Sequence, residues 1–391
     1  TWRRDLRHTK EDWVKANRAV ATIFAIAGAV FGSWASRIPS LKNQLGIEPA
    51  ELGGVLLVLA MASVLSFPIS GRWIDIYGPA KVTRYLALST LITLVLISFA
   101  TSLWQLALCV AVFGASLGAL DVSMNGWGAE IERQGSKSIM SSLHAYWSLF
   151  AGLGGAFGFA AIHFNLTVLE HFVIVGLFMG VLAFPASRVN WEESTQKENA
   201  CVFAWPKKHL LFVGFLMFGA ALAEGAVADW AAIFVIDRFN ITEAIALSSF
   251  VIFSFAMFVS RMFADGLVDR YGAVSVCCVG GCLATVGISM ILIVHDFRVA
   301  LMGFLLLGLG LAPVFPLGCA RAANDSHVTP GQGLASVATL GYGGIMLGPA
   351  VIGFATQHLG IFFGFSLILF CGLYQLFFSW SLKNPTADQC V

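Results

Sequence analysis

Twelve apolar stretches separated by short polar breaks run along the chain, and each is long enough to cross a bilayer. A helical crossing needs about 20 consecutive apolar residues. The first six runs read as helices at about 17–38, 50–70, 80–100, 103–132, 139–164 and 167–187. The other six fall at about 207–237, 244–264, 273–294, 298–321, 331–357 and 361–382. Between the two sets lies residues 188–206, a polar connection rich in Glu, Lys and Asn. The pattern therefore predicts a six-helix bundle over 1–187, a linker over 188–206 and a second bundle over 207–391. A linker of that length has no room for a soluble catalytic domain.

Composition agrees with a lipid environment. Hydrophobic residues make up 58% of the chain and charged ones only 12%, where soluble domains carry about 25% charged residues. A formal net charge of +1 argues against a nucleic-acid partner. The segment Thr1–Arg18 is charged rather than apolar, so no cleavable signal peptide is expected from it. Lys and Arg are distributed unevenly about the twelve runs. With the N-terminus in the cytoplasm, all of the 23 Lys and Arg except Arg37, Lys42, Arg238 and Arg298 fall on the cytoplasmic side or at that end of a helix. The positive-inside bias thus predicts both termini in the cytoplasm. The eight cysteines mostly lie inside apolar runs and form no Cys-x-x-Cys pair, which reads as packing rather than disulfides or a metal site.

One polar break stands out. Ser70–Arg84 carries Gly71, Asp75, Gly78, Lys81 and Arg84, and its design returns in Arg261–Gly272, where Asp269 and Gly272 keep the spacing of Asp75 and Gly78. Glycines allow a tight loop between helix ends, and an aspartate there can accept hydrogen bonds from a helix N-terminus. D-x-x-G by itself would mark only a hairpin between membrane helices; its repetition carries the inference. Here the chain resembles the major facilitator superfamily, whose loop between helices two and three reads G-x-x-x-D-R-x-G-R-[RK]. Asp75, Gly78 and Lys81 fit, with Ile76 in place of the arginine; in the second copy Asp269, Arg270 and Gly272 fit, with Asp265 where the first glycine belongs. The resemblance implies an all-α membrane protein of twelve transmembrane helices in two six-helix bundles related by a pseudo-two-fold axis. It also implies a cytoplasmic gate at Gly71, Asp75, Gly78, Lys81, Asp269 and Arg270. Arg261 and Asp265 are four apart and can pair on one helix face, and Glu130 near the inner end of span four can join the same network.

Charges inside the apolar runs are the candidates for chemistry. Asp121 lies deep in span four, with Asn125 one turn later on the same face. An aspartate at mid-helix costs roughly 2.5–3.5 kcal/mol to insert, so it faces the bundle interior or water; a structural polar anchor is the alternative. Span seven carries Glu224 near its middle and Asp229 toward its outer end, followed by Trp230. Those two acids diverge by about 140° on a regular helix and share a compact site only if the helix breaks near Gly225. Gly28–Val30 and Gly225–Val227 both read G-A-V, which aligns span one with span seven and sets Arg37 and Asp229 at similar heights. A pairing of those two at the outer mouth is the expectation, with a snorkelling interface cation as the alternative for Arg37 and Pro39 expected to stop the helix. His144 opens span five as a titrating or simply satisfied polar group. Trp34 and Trp230 are possible stacking platforms for a sugar or ring, or else packing residues. Pro313 and Pro316 interrupt span ten and mark a hinge.

D-V-S-M-N in span four is similar to the acidic-x-x-x-Asn pattern of the fucose-permease branch. W-A-S-R-I-P, E-G-A-V-A-D-W and H-A-Y-W-S add a likeness to the YbjJ-type facilitators. The resemblance implies a bacterial inner-membrane secondary transporter, monomeric, working by alternating access. Its cavity would be lined by helices one, four, seven and ten, with Asp121 and then Glu224 as proton-coupling groups and the proton in place of a cofactor. The cargo expected is a small polar solute, sugar-like, moved by symport. An exporter of drugs or metabolites and a non-transporting sensor on the same fold are the alternatives. An enzyme is not expected, because no nucleophile–base set, metal motif or nucleotide loop is present.

Overall fold

In a computed structural model, residues 9–134, 139–187, 208–323 and 330–383 are described, together with 189, 191 and 325. Every regular element among them is helical. The α-helices are α1 (Lys10–Ser36), α2 (Ile38–Leu45), α3 (Pro49–Tyr77), α4 (Pro79–Ile97), α5 (Leu103–Gln134), α6 (Met140–His163) and α7 (Val168–Ser187). They continue with α8 (Leu211–Phe239), α9 (Glu243–Ala246), α10 (Ser248–Tyr271), α11 (Ala273–Ile293), α12 (Phe297–Leu311), α13 (Val314–Ala323), α14 (Pro330–Leu359) and α15 (Ile361–Phe378). Among the described residues, 11 helical stretches are long and apolar enough to span a membrane, and Val168–Ala183 of α7 supplies a shorter apolar helix. The expected linker apart from Val189 and Trp191, Arg3, Arg4 and Arg7 of the N-terminal segment, and the tail beyond Lys383 lie outside the described residues.

Two compact units emerge: Thr1–Ile47 with Val58–Glu198, and Glu48–Leu57 with Asn199–Val391. In lipid there is little hydrophobic gain from pressing two apolar helices together, so close packing of small residues and interhelical hydrogen bonds hold bundles instead. The first unit shows this where α1 meets α6. A Cβ on Gly28 or Gly32 would overlap the backbone carbonyl of Trp147 or Ala151, and one on Gly154 would overlap that of Ala29. In the second unit α8 meets α14 in the same manner, Gly344 lying against the carbonyl of Phe218. Hydroxyls add cross-ties: Ser63 Oγ donates to Gly114 O (2.8 Å) and Ser70 Oγ to Ala119 O (2.8 Å), joining α3 to α5. In the second unit Ser260 Oγ donates to Leu309 O (2.9 Å), joining α10 to α12. Gln375, a lone amide in the apolar α15, donates to the carbonyls of Cys277 (3.1 Å) and Gly310 (2.8 Å).

Helix ends carry their own caps, since orphan backbone donors near a bilayer must be satisfied. Thr9 and Asp12 form a capping box at α1. Thr167 and Glu170 exchange the same pair of bonds at α7, with Thr167 N to Glu170 Oε2 at 2.7 Å and Glu170 N to Thr167 Oγ1 at 3.2 Å. Glu132 Oε2 accepts from Ile139 N (2.6 Å) and Met140 N (3.0 Å), so the acid ending α5 caps the start of α6.

The two repeated loops have one geometry. Gly78 closes α3 at φ 82°, ψ 152°, and Gly272 closes α10 at φ 79°, ψ 153°. In each, the glycine N–H bonds back four residues at 2.8 Å, to Ile74 O and Val268 O respectively. That backbone region is open essentially to glycine alone, which is why the same residue stands at both joints.

Three expectations about helix breaks are decided here. The first helix ends at Ser36, just ahead of Pro39 as expected; the chain turns at Arg37 and starts again as α2, with Pro39 in its first turn, where a missing N–H costs no hydrogen bond. Span ten is broken, as α12 ends at Leu311 and α13 begins at Val314, leaving Ala312 and Pro313 in a turn with Pro316 inside the next helix. Span seven is not broken, for α8 runs without interruption through Gly225.

Candidate functional site

In the first unit the polar pair on α5 forms as its spacing requires. Asn125 Nδ2 donates to Asp121 Oδ1 (3.1 Å) and to Asp121 O (2.8 Å). Both side chains are half-buried in a helix whose neighbouring turns bury Leu120, Met124 and Trp127. The Asn125 amide thereby helps to orient the carboxylate.

In the second unit Glu224 of α8 meets Arg261 of α10, Oε2 lying 3.4 Å from Nη2. Arg261, expected beside Asp265 in a cytoplasmic gate, thus also reaches a mid-helix acid on a neighbouring helix; the Asp265 side chain lies outside the described set. Side-chain exposure falls to 10% for the arginine and 29% for the glutamate, so the pair is shielded but not sealed. Asp229 lies one turn and a residue further along the unbroken α8, half-buried and without a hydrogen bond or ion pair among the described residues. The unbroken helix keeps Glu224 and Asp229 on different faces.

Several residues expected in the cavity are held by packing and hydrogen bonds within their own unit. Arg37 is 4% exposed and its guanidinium is held inside the first unit. Nε donates to His171 Nδ1 (3.1 Å), Nη1 to Ser40 Oγ (3.4 Å), and Nη2 to Leu166 O (2.7 Å) and Thr167 O (3.5 Å). That network ties the α1–α2 junction to the loop before α7 and keeps the guanidinium buried. The imidazole accepts on Nδ1 and so carries its proton on Nε2. Trp34 and Trp230 are fully buried, Trp34 packing on Phe113 at 5.9 Å between ring centres; neither offers a bare ring face for stacking. His144 is half-buried with its ring edge-on to Phe24 at 5.4 Å.

Among the residues expected in the cytoplasmic gate, Glu130 is buried in α5. Lys81 is exposed with its ammonium 5.7 Å from the Tyr77 ring centre. Arg270 repeats this over Tyr271 at 5.3 Å, and Asp269 is exposed beside it. Gly71 has open space where a Cβ would stand. Asp75 and Asp265 sit on α3 and α10, but their side chains, like that of Arg133, are outside the described set.

Sequence reading passed over His171, Gln375 and the pair Arg321–Asp325. In that pair Nη1 lies 2.8 Å from Oδ2, with both side chains buried, and Nε bonds Lys383 O at 3.1 Å. The i, i+4 spacing of Arg321 and Asp325 and the isolation of Gln375 in an apolar run were readable signals. Nothing in the sequence marks His171 as the partner of a residue 134 positions away. Among the described residues no three His, Cys, Asp or Glu come together in a metal-binding group.

These features define a class: a multi-pass helical membrane protein of two bundles, each carrying a shielded acid within an apolar helix, in the manner of a solute transporter. Comparison with known proteins makes the assignment definite. Residues 19–349 match the Major Facilitator Superfamily, and the chain belongs to that family. It is 35% identical over 342 residues to the uncharacterized transporter y4wD of Sinorhizobium fredii, covering 87% of this chain and 91% of that protein. It is 30% identical over 349 residues to the membrane protein MosC of Rhizobium meliloti, covering 88% and 84%. Among solved structures it resembles a D323A mutant of the nucleoside transporter NupG, with TM-score 0.74, 12% identity, and 94% and 98% of the two chains covered. A bacterial homologue of the human lysosomal transporter Spinster gives TM-score 0.70 at 13% identity, over 96% and 97%. Those two likenesses speak to fold alone. The protein is a membrane transporter of this superfamily, not an enzyme.

Proposed function

We propose that the chain is a proton-coupled secondary transporter of a small polar solute, operating by alternating access in a bacterial inner membrane with both termini cytoplasmic. The observation that carries the reading is Asp121, a half-buried carboxylate deep in an apolar helix, oriented by Asn125 at 3.1 Å. A charge held there is costly, and an acid at such depth marks an ion or substrate path by default. Taking up a proton removes the charge and with it the cost of carrying the group through a closed state. Glu224 is the second proton-coupling group: its ion pair with Arg261 at 3.4 Å must be reorganised whenever its charge changes. Pro313, at the break between α12 and α13, supplies a place where one helix can bend, and broken helices of this kind accompany binding sites in secondary transporters. The cargo favoured is neutral and hydrogen-bonding, such as a sugar, because the polar groups of α5 and α8 offer acids and amides more than free cations.

Purified protein in liposomes enclosing a pH-sensitive dye tests this directly, with neutral sugars, nucleosides, amino acids, organic acids and hydrophobic cations as trial solutes. A solute that drives proton movement in the native protein but not in Asp121→Asn is the expected result, and proton movement in the same direction as the solute signifies symport. Movement in opposite directions would replace symport with proton-coupled export. Solute binding with no flux in folded protein would replace transport by sensing, and solute flux with no proton movement would leave a uniporter.

A further inference from the structure

The lipid-facing wall of the first unit carries a groove that the transport reading does not use. It lies between α4 and α7, with a volume of about 700 Å³. Leu88, Ile92 and Leu96 line it from α4, and Gly176, Gly180 and Val181 from α7. The glycines, one helical turn apart, open the furrow: the space where a Cβ would stand on Gly180 meets only Leu91 Cδ1 at 4.0 Å, and on Gly176 only Val95 Cγ2 at 3.5 Å and Leu91 O at 3.9 Å. The two helices touch here without being drawn together, unlike α1 and α6. Leu88, Ile92 and Val181 are each more than half exposed.

The groove has a polar mouth. Along α4 the chain rises about 1.5 Å per residue, so Lys81 stands roughly 10 Å before Leu88 and roughly 22 Å before Leu96. One leaflet of hydrocarbon is about 15 Å deep. A cation at headgroup level and a furrow at tail depth are thus set on one helix at the spacing of a single lipid. Lys81 is exposed and rests over the Tyr77 ring at 5.7 Å. Trp73, Tyr77 and Tyr85, within eight residues of Lys81 along the chain, are all exposed, as suits side chains of a membrane–water interface. Arg84 turns the other way, bonding Val189 O and lying over Trp127 at 5.5 Å.

We propose that this groove retains one acyl chain of an anionic phospholipid, with its headgroup on Lys81 and its glycerol level beside Tyr85. On the orientation expected from the charge distribution, the lipid comes from the cytoplasmic leaflet. The chain fills a furrow whose own side chains leave it open, and the ammonium supplies the charge complement that separates an anionic from a zwitterionic headgroup.

Native mass spectrometry of the detergent-purified full chain, titrated with phosphatidylglycerol or phosphatidylcholine, is the test. The expected result is one retained phosphatidylglycerol, preferred about fivefold over phosphatidylcholine, the scale of one cation near an anionic surface. Gly180→Leu should fill the furrow and remove the retained lipid, and Leu177→Trp, at a lipid-exposed position, should do so from the outer side without touching the helix contact. Lys81→Gln should keep the adduct but abolish the headgroup preference. Equal lipid retention by the native protein and both groove variants overturns the proposal, as does a native protein indifferent to headgroup charge. A change in oligomeric state with unchanged lipid count would give the groove to a second copy of the chain instead. Each readout is a lipid count, so it stands or falls apart from any transport assay.

Discussion

At the scale of single residues, two buried partnerships decide what the charges in this protein are for. Arg37 has its Nε bonded to His171 Nδ1 at 3.1 Å. Replacing His171 by Leu would leave that N–H buried and unpaired, a loss of about 1–3 kcal/mol. The expected outcome is a lower unfolding temperature of the purified protein, largely recovered by His171→Asn, whose amide oxygen can accept in place of Nδ1. Equal loss in both variants would mean that the imidazole matters for volume rather than as an acceptor. Glu224 and Arg261 should couple in a double-mutant cycle. Glu224→Gln, Arg261→Met and the double variant are expected to give an interaction free energy of about 0.5–3 kcal/mol in thermal or denaturant unfolding. A sum of single effects equal to the double effect would show that the 3.4 Å contact contributes nothing to the fold. The spacing of Asp121 and Asn125 was legible from the sequence because one helical turn joins them. Arg37 and His171 were not, because their contact is made by the packing of α1 on α7.

Helices and the joints between them were the more predictable level. The signals were long apolar runs, which any chain in lipid must resolve as helices, and a glycine repeated at corresponding positions. Gly78 and Gly272 occupy a φ/ψ region closed to residues with a Cβ, whereas Gly46 at φ 63°, ψ 32° lies in the left-handed region that Asn tolerates. Gly78→Ala and Gly272→Ala should therefore each destabilise by about 1–3 kcal/mol, while Gly46→Asn should be close to neutral. Comparing the unfolding midpoints of the three variants checks this, and a neutral Gly78→Ala would place the loop outside the folded core. Prolines were harder to read. Pro39 and Pro313 look alike as helix breakers in one dimension, yet the first sits in a first turn and costs nothing there, while the second falls where the chain needs a turn between α12 and α13. Their difference lies in the register of the helix that follows each proline.

For the whole molecule, stability rests on where backbones touch. A Cβ on Gly32 would overlap the carbonyl of Ala151, whereas one on Gly225 meets nothing within 4 Å. Gly32→Val should abolish folded, detergent-stable protein as judged by size-exclusion profile. Gly225→Ala should be neutral or gain about 0.5–1 kcal/mol, the helix-interior difference between the two residues. A tolerated Gly32→Val would mean that α1 and α6 can separate without loss of the bundle.

The sequence by itself determined that this is a polytopic helical membrane protein, where its apolar crossings lie, that the α3–α4 and α10–α11 joints are built to one pattern, and which acids stand at mid-helix. Those properties follow from local quantities: apolar length against bilayer thickness, the φ/ψ tolerance of glycine, and the one-turn spacing that pairs Asp121 with Asn125. Only the tertiary structure decided that Arg37 bonds His171, that Arg261 reaches Glu224, that Trp34 and Trp230 are packed away, and that α4 and α7 leave a furrow between them. These depend on which helix faces meet. In lipid that choice is made by small residues and hydrogen bonds spread over distant segments, with no apolar periodicity to announce it.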